Sequence, residues 1–479
     1  MSLKTMDSSK KKIAGAFLIA MFLAAFEGVV VSAAAPVIVK SLHDFAMMSW
    51  IFSLYLLTCA ISTPIYGKLA DLYGRKRMLI IGIVIFLIGS TLCGLSQTMQ
   101  QLALFRAVQG LGAGSIMTIV FTMIGDIFTL EERSVVQGGV STVWGIAGLV
   151  GPLLGGFLID NLSWHWIFFI NLPLGLLCIL ILSRYVHEHR RLTHHSIDYL
   201  GTVLLSAAIG SFLYAVMNTG DSRFSYYLFA AAGIFFIVFY FWEKRAAEPV
   251  VPLFILNKGS IVVNCITFGA SFILIANSVY LPLHMQSIMG HSATAAGIAL
   301  ATTSVTWFGT SFFLARLMRR FQARFIIMGA AAVLAFCCFL LYSLTLQSSI
   351  WQISFYALIF GIGFSGTLNT VTFIVQDSVE YKNRGAAVGI NMLTRTLAQT
   401  IGVAVLGSVI NAASAQYLAD IGLNGLTMQD LYDNTFPQYA QILRQALFYA
   451  LNHVYFITIL AAACCFVLGW FVPKYRESK

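Results

Sequence analysis

Gly67-Lys68-Leu69-Ala70-Asp71-Leu72-Tyr73-Gly74-Arg75-Lys76-Arg77 joins two long apolar runs, residues 47–67 and 78–96. Its glycines permit a sharp turn and a close approach of neighbouring backbone. Asp71 can cap a helix or pair with a basic side chain. Arg75, Lys76 and Arg77 suit an anionic membrane surface. Composition alone makes the string a basic loop that fixes orientation in a bilayer. Its spacing of glycine, acid and base is more particular than that role requires.

The flanking runs set the fold class. A spanning helix needs about 20 apolar residues. Fourteen stretches qualify, near 13–36, 47–67, 78–96, 102–125, 136–160, 166–186, 199–217, 225–242, 260–287, 293–315, 325–346, 351–376, 386–411 and 451–472. Only 10% of the residues are charged, against about 25% in a soluble domain. The chain therefore reads as an all-α polytopic membrane protein. An even span count puts both termini on one side. That side carries 24 of the 29 Lys and Arg residues, while Lys40, Arg223 and Arg444 fall opposite and Arg106 and Arg395 lie within spans. The positive-inside rule makes the basic side, and both termini, cytoplasmic. The longest opposite loop, 412–448, has room for a short helix on the membrane surface.

This placement of the net charge of +10 points to a lipid bilayer and not to nucleic acid. Lys10–Lys12 precede an apolar run too long for a typical leader, so that run is read as the first span. The eight cysteines lie in apolar segments without metal-ligand spacing. No phosphate loop and no Ser/His/Asp or metal cluster stands out, so neither ATP drive, an enzyme nor a cofactor is expected.

The chain repeats itself. Asp126, Arg133 and Gly138 recur as Asp377, Arg384 and Gly389 at an offset of 251, and Gly110, Gly112 and Gly151 recur as Gly361, Gly363 and Gly402. At about 32 residues for a span and its loop, a six-span unit takes roughly 190 residues, so the offset exceeds it by about 60, or two spans. The expected organisation is a six-helix bundle (1–195), two inserted helices (196–250) and a second six-helix bundle (251–479).

Glu27 is the only charged residue between Ile13 and Pro36. A carboxylate at membrane depth costs about 2.5–3.5 kcal/mol on insertion scales, which favours a functional role, with helix–helix glue as the alternative. Desolvation favours the protonated form of a carboxyl. Near the bilayer midplane, Glu27 is expected to take a proton from outside, release it inward, and let a cation compete for the same carboxylate. Arg106 is its expected electrostatic partner in proton coupling, or else a ligand of backbone carbonyls.

The opening string resembles the signature loop of the major facilitator superfamily. Arg106-Ala107-Val108-Gln109-Gly110-Leu111-Gly112-Ala113-Gly114 looks like a second motif of that family. Gly145, Gly148, Gly151, Pro152, Gly155 and Gly156 match its antiporter string. The Glu27–Pro36 stretch, Trp164-His165-Trp166-Ile167-Phe168-Phe169-Ile170-Asn171-Leu172-Pro173, Tyr280-Leu281-Pro282-Leu283 and Ala296-Gly297 are similar to the fourteen-span drug:proton antiporter branch. Two departures stand out: Glu27 replaces the branch's usual Asp, and the second-half loop, Ala315 to Arg324, lacks the acid and the glycines.

The resemblance implies the major facilitator fold, arranged 6 + 2 + 6. It implies proton-coupled efflux of lipophilic, often cationic drugs from a bacterial cytoplasmic membrane, by a chain acting as a monomer, with protons as the coupling ion and no other cofactor. A narrow-substrate exporter, an uptake symporter and a non-transporting sensor are the alternatives. Gly67, Asp71, Gly74, Arg75, Lys76, Asp126, Arg133, Asp377 and Arg384 are the expected conformational gate. The glycine string is expected to pack helices and seal the cavity against proton leak. Trp50, Tyr55, Phe121, Trp144, Phe268, Phe272, Trp307 and Phe364, with Asn277, Asn369 and Asn391, are candidates for the cavity wall.

Overall fold

A computed structural model describes residues 6–186, 198–217, 222–246, 249–251, 253, 256–377, 384–423 and 425–473, with the backbone alone at a few helix positions that include Asp377 and Arg384. Among them are fourteen helices long and apolar enough to cross a membrane. They are α1 (Ser8–Leu42), α2 (Trp50–Tyr73), α3 (Arg75–Gly94), α4 (Met99–Ile127), α5 (Leu130–Asn161), α6 (Trp166–Tyr185), α7 (Tyr199–Met217) and α8 (Ser222–Glu243). There follow α9 (Lys258–Ile288), α10 (Ala293–Arg320), α11 (Ala323–Tyr342), α12 (Ile350–Val375), α13 (Arg384–Asp420) and α14 (Ala440–Trp470). No strand occurs among the described residues.

Every expected span is a helix, and several run further than hydropathy foretold. α13 continues to Asp420 and α14 begins at Ala440, so the expected 412–448 loop is mostly helix. A hydropathy limit marks the bilayer edge, whereas the hydrogen-bond ladder of a helix continues into water. What remains of the loop holds the short helix Met428–Asp433. Fourteen crossings put the start of α1 and the end of α14 on one side, called here the terminal side; the other is the far side.

The repeat is visible in the packing. A Cβ on Gly110 would strike the Tyr55 carbonyl of α2, and one on Gly361 the Thr303 carbonyl of α10. Gly112 and Gly363 likewise press α4 on α3 and α12 on α11. Gly151 meets Phe26 and Val29 of α1, as Gly402 meets Phe272 and Ile275 of α9. α1–α6 and α9–α14 thus repeat one packing scheme. They meet along two seams, α5 on α10 and α2 on α13, with α1 against α9 between them. α7 lies over the α2–α13 seam and α8 packs on α7.

The far side is closed. Gln286 Nε2 of α9 donates to the Ala33 carbonyl of α1 at 2.8 Å. Asp160, in the last turn of α5, accepts from the backbone N–H groups of Ala293 (3.3 Å) and Thr294 (2.9 Å) at the start of α10. Beyond α1, His43 Nδ1 stands 2.5 Å from Asp433 Oδ1, and Phe45 stacks on Tyr432 with ring centroids 5.5 Å apart. The hydrogen bonds described here between the two halves all lie toward this side. The closed far side leaves the path to the interior on the terminal side.

Candidate functional site

Arg106 and Gln109 are three residues apart on α4, and Ile51 and Tyr55 four apart on α2, so each pair shares a helix face. Both faces point at Glu27 of α1. The Glu27 side chain is fully buried and that of Arg106 is 1% exposed. Arg106 Nη1 donates to Glu27 Oε1, and also to Gln109 Oε1 at 2.7 Å. Its Nε donates to the Ile51 carbonyl at 3.0 Å, and the guanidinium lies 4.0 Å from the centre of the Tyr55 ring. The other carboxylate oxygen, Oε2, accepts from Asn171 Nδ2 at 2.7 Å. The same amide reaches Ser90 Oγ at 2.9 Å, and Ser90 donates to the Phe168 carbonyl at 2.8 Å. Five helices, α1, α2, α3, α4 and α6, therefore converge on one ion pair.

A buried ion pair survives only when hydrogen bonds satisfy its remaining atoms. Here both carboxylate oxygens are satisfied, and the guanidinium gains a carbonyl, an amide and an aromatic face. Two polar atoms beside the pair, Gln109 Nε2 and Asn171 Oδ1, are buried without a hydrogen-bond partner. The pair is not duplicated: the packing register sets Ile273 where the first half has Glu27, and Ala357 where it has Arg106.

Ile51, Ser90 and Asn171 are within about 8 Å of the far-side ends of α2, α3 and α6 at 1.5 Å per residue, whereas Glu27 stands near the middle of α1. In this conformation the Glu27 carboxylate is fully enclosed.

At the signature loop, Gly74 adopts φ +97°, a turn glycine makes without strain. Arg75 pairs with Asp71 at 2.9 Å and also with Asp126 at the end of α4. Gly67 lies against Thr118 of α4. Lys76 Nζ donates to the Ser183 carbonyl of α6 at 2.8 Å. Arg133 binds the Phe128 and Gly125 carbonyls, so it closes the end of α4 instead of pairing with Asp126. These contacts all fall within the first half. The side chains of Asp377 and Arg384 lie outside the described residues. Sequence reasoning did not foresee Lys10 of α1 on Glu132 at 2.7 Å, where Glu132 also completes the capping box of α5 with Thr129. The Lys10 ammonium, followed by the Thr129 N–H, holds the Glu132 carboxyl below the usual carboxylate range.

The glycine string places α5 between two partners. Gly151 and Gly155 face Val29 and Val30 of α1; Gly145, Gly148 and Gly156 face Phe308, Ser304 and Thr294 of α10. The Pro152 carbonyl is in turn covered by Gly297.

The expected cavity residues do not form one group. Tyr55 belongs to the ion-pair site. Trp50 contacts Tyr214 of α7 edge to face. Trp144 and Phe121 are exposed, while Phe268 and Phe272 pack on the central core. Trp307 stacks on Phe364 with centroids 5.6 Å apart. Asn369 donates to Ser311 Oγ at 2.9 Å and Asn391 to Thr267 Oγ1 at 2.8 Å, whereas Asn277 Oδ1 is buried without a partner. Asn171, Gln109 and Ser90 were not singled out beforehand. A polar side chain three residues from Arg106, and an asparagine in the first turns of a span, were the available signals.

The sequence profile of the Major Facilitator Superfamily matches residues 17–199 and 193–403. The chain belongs to the Major Facilitator Superfamily. It is accordingly a multi-pass membrane transporter and not an enzyme. Among superfamily relatives, it is 32% identical to the multidrug transporter protein MdtP of Bacillus subtilis, over 88% of this chain and 79% of that protein. It is 31% identical to multidrug resistance protein 3 of the same organism, over 84% and 80%. The multidrug efflux pump SdrM of Staphylococcus aureus is 27% identical over 82% and 88%. Among solved superfamily folds, a bacterial homolog of the human lysosomal transporter Spinster, inward-facing and unoccupied, superposes with a TM-score of 0.72 at 14% identity, over 99% of this chain and all of that one.

Proposed function

We propose that this protein is a proton-coupled multidrug exporter of a bacterial plasma membrane, working by alternating access as a monomer. The observation that carries the reading is the fully buried Glu27–Arg106 pair, held by Asn171 in the first half and absent from the second. The multidrug relatives favour lipophilic drugs as cargo. The positive-inside rule makes the terminal side cytoplasmic, so cargo enters from the cytoplasm and leaves at the far side. The chain divides at 1–195, 196–250 and 251–479, and the inserted pair α7–α8 braces the α2–α13 seam.

Coupling runs through charge at the junction of α1, α4 and α6. With Glu27 ionised, Arg106 binds it and holds α4 against α1. A proton on Glu27 removes that attraction, and Arg106 keeps the Ile51 carbonyl, Gln109 and the Tyr55 ring. The open acceptor, Asn171 Oδ1, and the open donor, Gln109 Nε2, give an entering water a station beside the carboxyl. Asp71, Arg75 and Asp126 hold the terminal ends of α2, α3 and α4 as one body while the halves move. The glycine string keeps α5 close to α1 and α10 and so limits leak.

The test is proton release from proteoliposomes when ethidium is added. Wild type releases protons and Glu27→Gln, reconstituted in equal amount, does not. Equal release from both would remove Glu27 from the coupling.

A further inference from the structure

Three charges stand in the interior of the described spans: Glu27, Arg106 and Arg395. The first two neutralise each other. Arg395 of α13 has no ion-pair or hydrogen-bond partner among the described residues. A bare guanidinium at membrane depth costs about 2.5–3.5 kcal/mol on insertion scales. Such residues face a bundle interior or a watered cavity and mark substrate pathways.

The placement of Arg395 identifies that cavity. It lies four residues after Asn391 and seven before Gly402, so it shares their face of α13. Asn391 bonds Thr267 of α9, and Gly402 touches Phe272 and Ile275 of α9. Yet the guanidinium reaches past α9 to Trp307 of α10, 5.9 Å from the ring centre. α10 packs on α5 and α12, and α13 packs on α9, α14 and α2. The contact therefore bridges two helices, α10 and α13, that are not packing partners, across the space between them. Arg395 is half-buried, so it keeps access to that space. Beside it, Trp307 stacks on Phe364, and Phe364 on Phe360 at 5.5 Å.

We propose that Arg395 and the Trp307–Phe364 stack form a subsite for the anionic group of an aromatic substrate, so that the cavity accepts aromatic carboxylates and zwitterions. The proposal rests on the export reading and names part of its cargo. The fork of Arg395 suits a carboxylate bidentately, and a ring joined to that carboxylate can lie on Trp307. Among the described residues no acid pairs with Arg395, and Glu27 is paired with Arg106 in the other half. The location of the two charges separates the tasks: the proton binds in the first half and the substrate anion in the second.

The test uses two probes with one ring system and opposite charge, 1-naphthoate and 1-naphthylmethylammonium. Binding to the purified full chain is measured by calorimetry at neutral pH. Wild type is expected to bind naphthoate more tightly than the ammonium. Arg395→Gln should raise the naphthoate Kd at least tenfold, Arg395→Lys by a smaller factor, and neither should weaken the ammonium. A naphthoate Kd within twofold of wild type in Arg395→Gln overturns the proposal, as does a wild type that prefers the ammonium. Should Arg395→Gln not yield monodisperse protein, Arg395→Lys decides: loss of the fork must weaken naphthoate at least threefold, and an unchanged Kd refutes the subsite. Binding needs no proton gradient. A wild type without naphthoate preference but with intact ethidium-driven proton release would sink this subsite alone, whereas absent release in wild type would sink the export reading.

Discussion

Neutralising Glu27 and Arg106 singly and together measures how far the pair acts as one unit. Removing one partner of a buried ion pair typically costs about 3–5 kcal/mol, because the survivor is left charged and unpaired. Glu27→Gln falls at the low end of that range. Arg106 retains the Ile51 carbonyl at 3.0 Å, Gln109 at 2.7 Å and the Tyr55 face. Arg106→Gln falls higher, since Glu27 keeps only the Asn171 amide. If both losses are the loss of one pairing, the double variant costs far less than their sum, with a coupling of about 2–3 kcal/mol. The assay is reversible unfolding in mixed micelles, followed by circular dichroism, for the four proteins of the cycle. Additivity within about 0.5 kcal/mol, the behaviour of independent sites, would refute the reasoning and leave two separately satisfied residues.

Asn171→Ala removes a hydrogen bond to a charged oxygen, a contact worth about 1.5–3 kcal/mol; the same unfolding assay should show that loss, and it should shrink in a Glu27→Gln background, where the acceptor is neutral and only that bond and the one to Ser90 are lost. Gly156→Val should disfavour the closed far side, because a Cβ there meets the backbone of Thr294; labelling of far-side cysteines should rise, and unchanged labelling would contradict the packing. Lowering pH tests Lys10 and Glu132. The folded-state value of Glu132 is depressed, so its contribution is complete above the unfolded value of about 4.3 and fades as pH falls through the folded one. The stability gap between wild type and Glu132→Gln should therefore close in acid, and a gap constant from pH 7 to 3 would exclude the assignment.

Hydropathy and the glycine register made the helices and the repeat legible, because both record constraints along a single helix. Glu27, Arg106 and the Asp71–Arg75 turn were legible for the same reason: a charge in lipid, or a glycine at a turn, is conspicuous in isolation. Asn171 was quoted only as part of a motif. Its importance lies in meeting Glu27 across 144 positions of sequence, and no local pattern states that distance. Arg133 shows the converse failure. It stands seven residues after Asp126 and was expected in the gate, but two nearby carbonyls at the end of α4 take its guanidinium. The cavity list scattered for a related reason, since an aromatic residue in a span has a lipid-facing side and a core as well as a cavity to occupy.

Asp160 gives the closed far side a property of its own. The first turn of α10 has amide groups that its own helix cannot satisfy, and two of them are satisfied by an aspartate that belongs to α5. A helix in one half is thus finished by a residue of the other. Parting the halves takes Asp160 from those two N–H groups and leaves them to water, while Ser292 keeps its own N-cap bond to Ala295. The same separation leaves Asp160 at the negative end of its own helix dipole without the positive end it faced. The closed far side is therefore favoured partly through a helix terminus: each opening leaves two N–H groups of α10 to water, and each closure pairs them again, whether or not cargo is aboard.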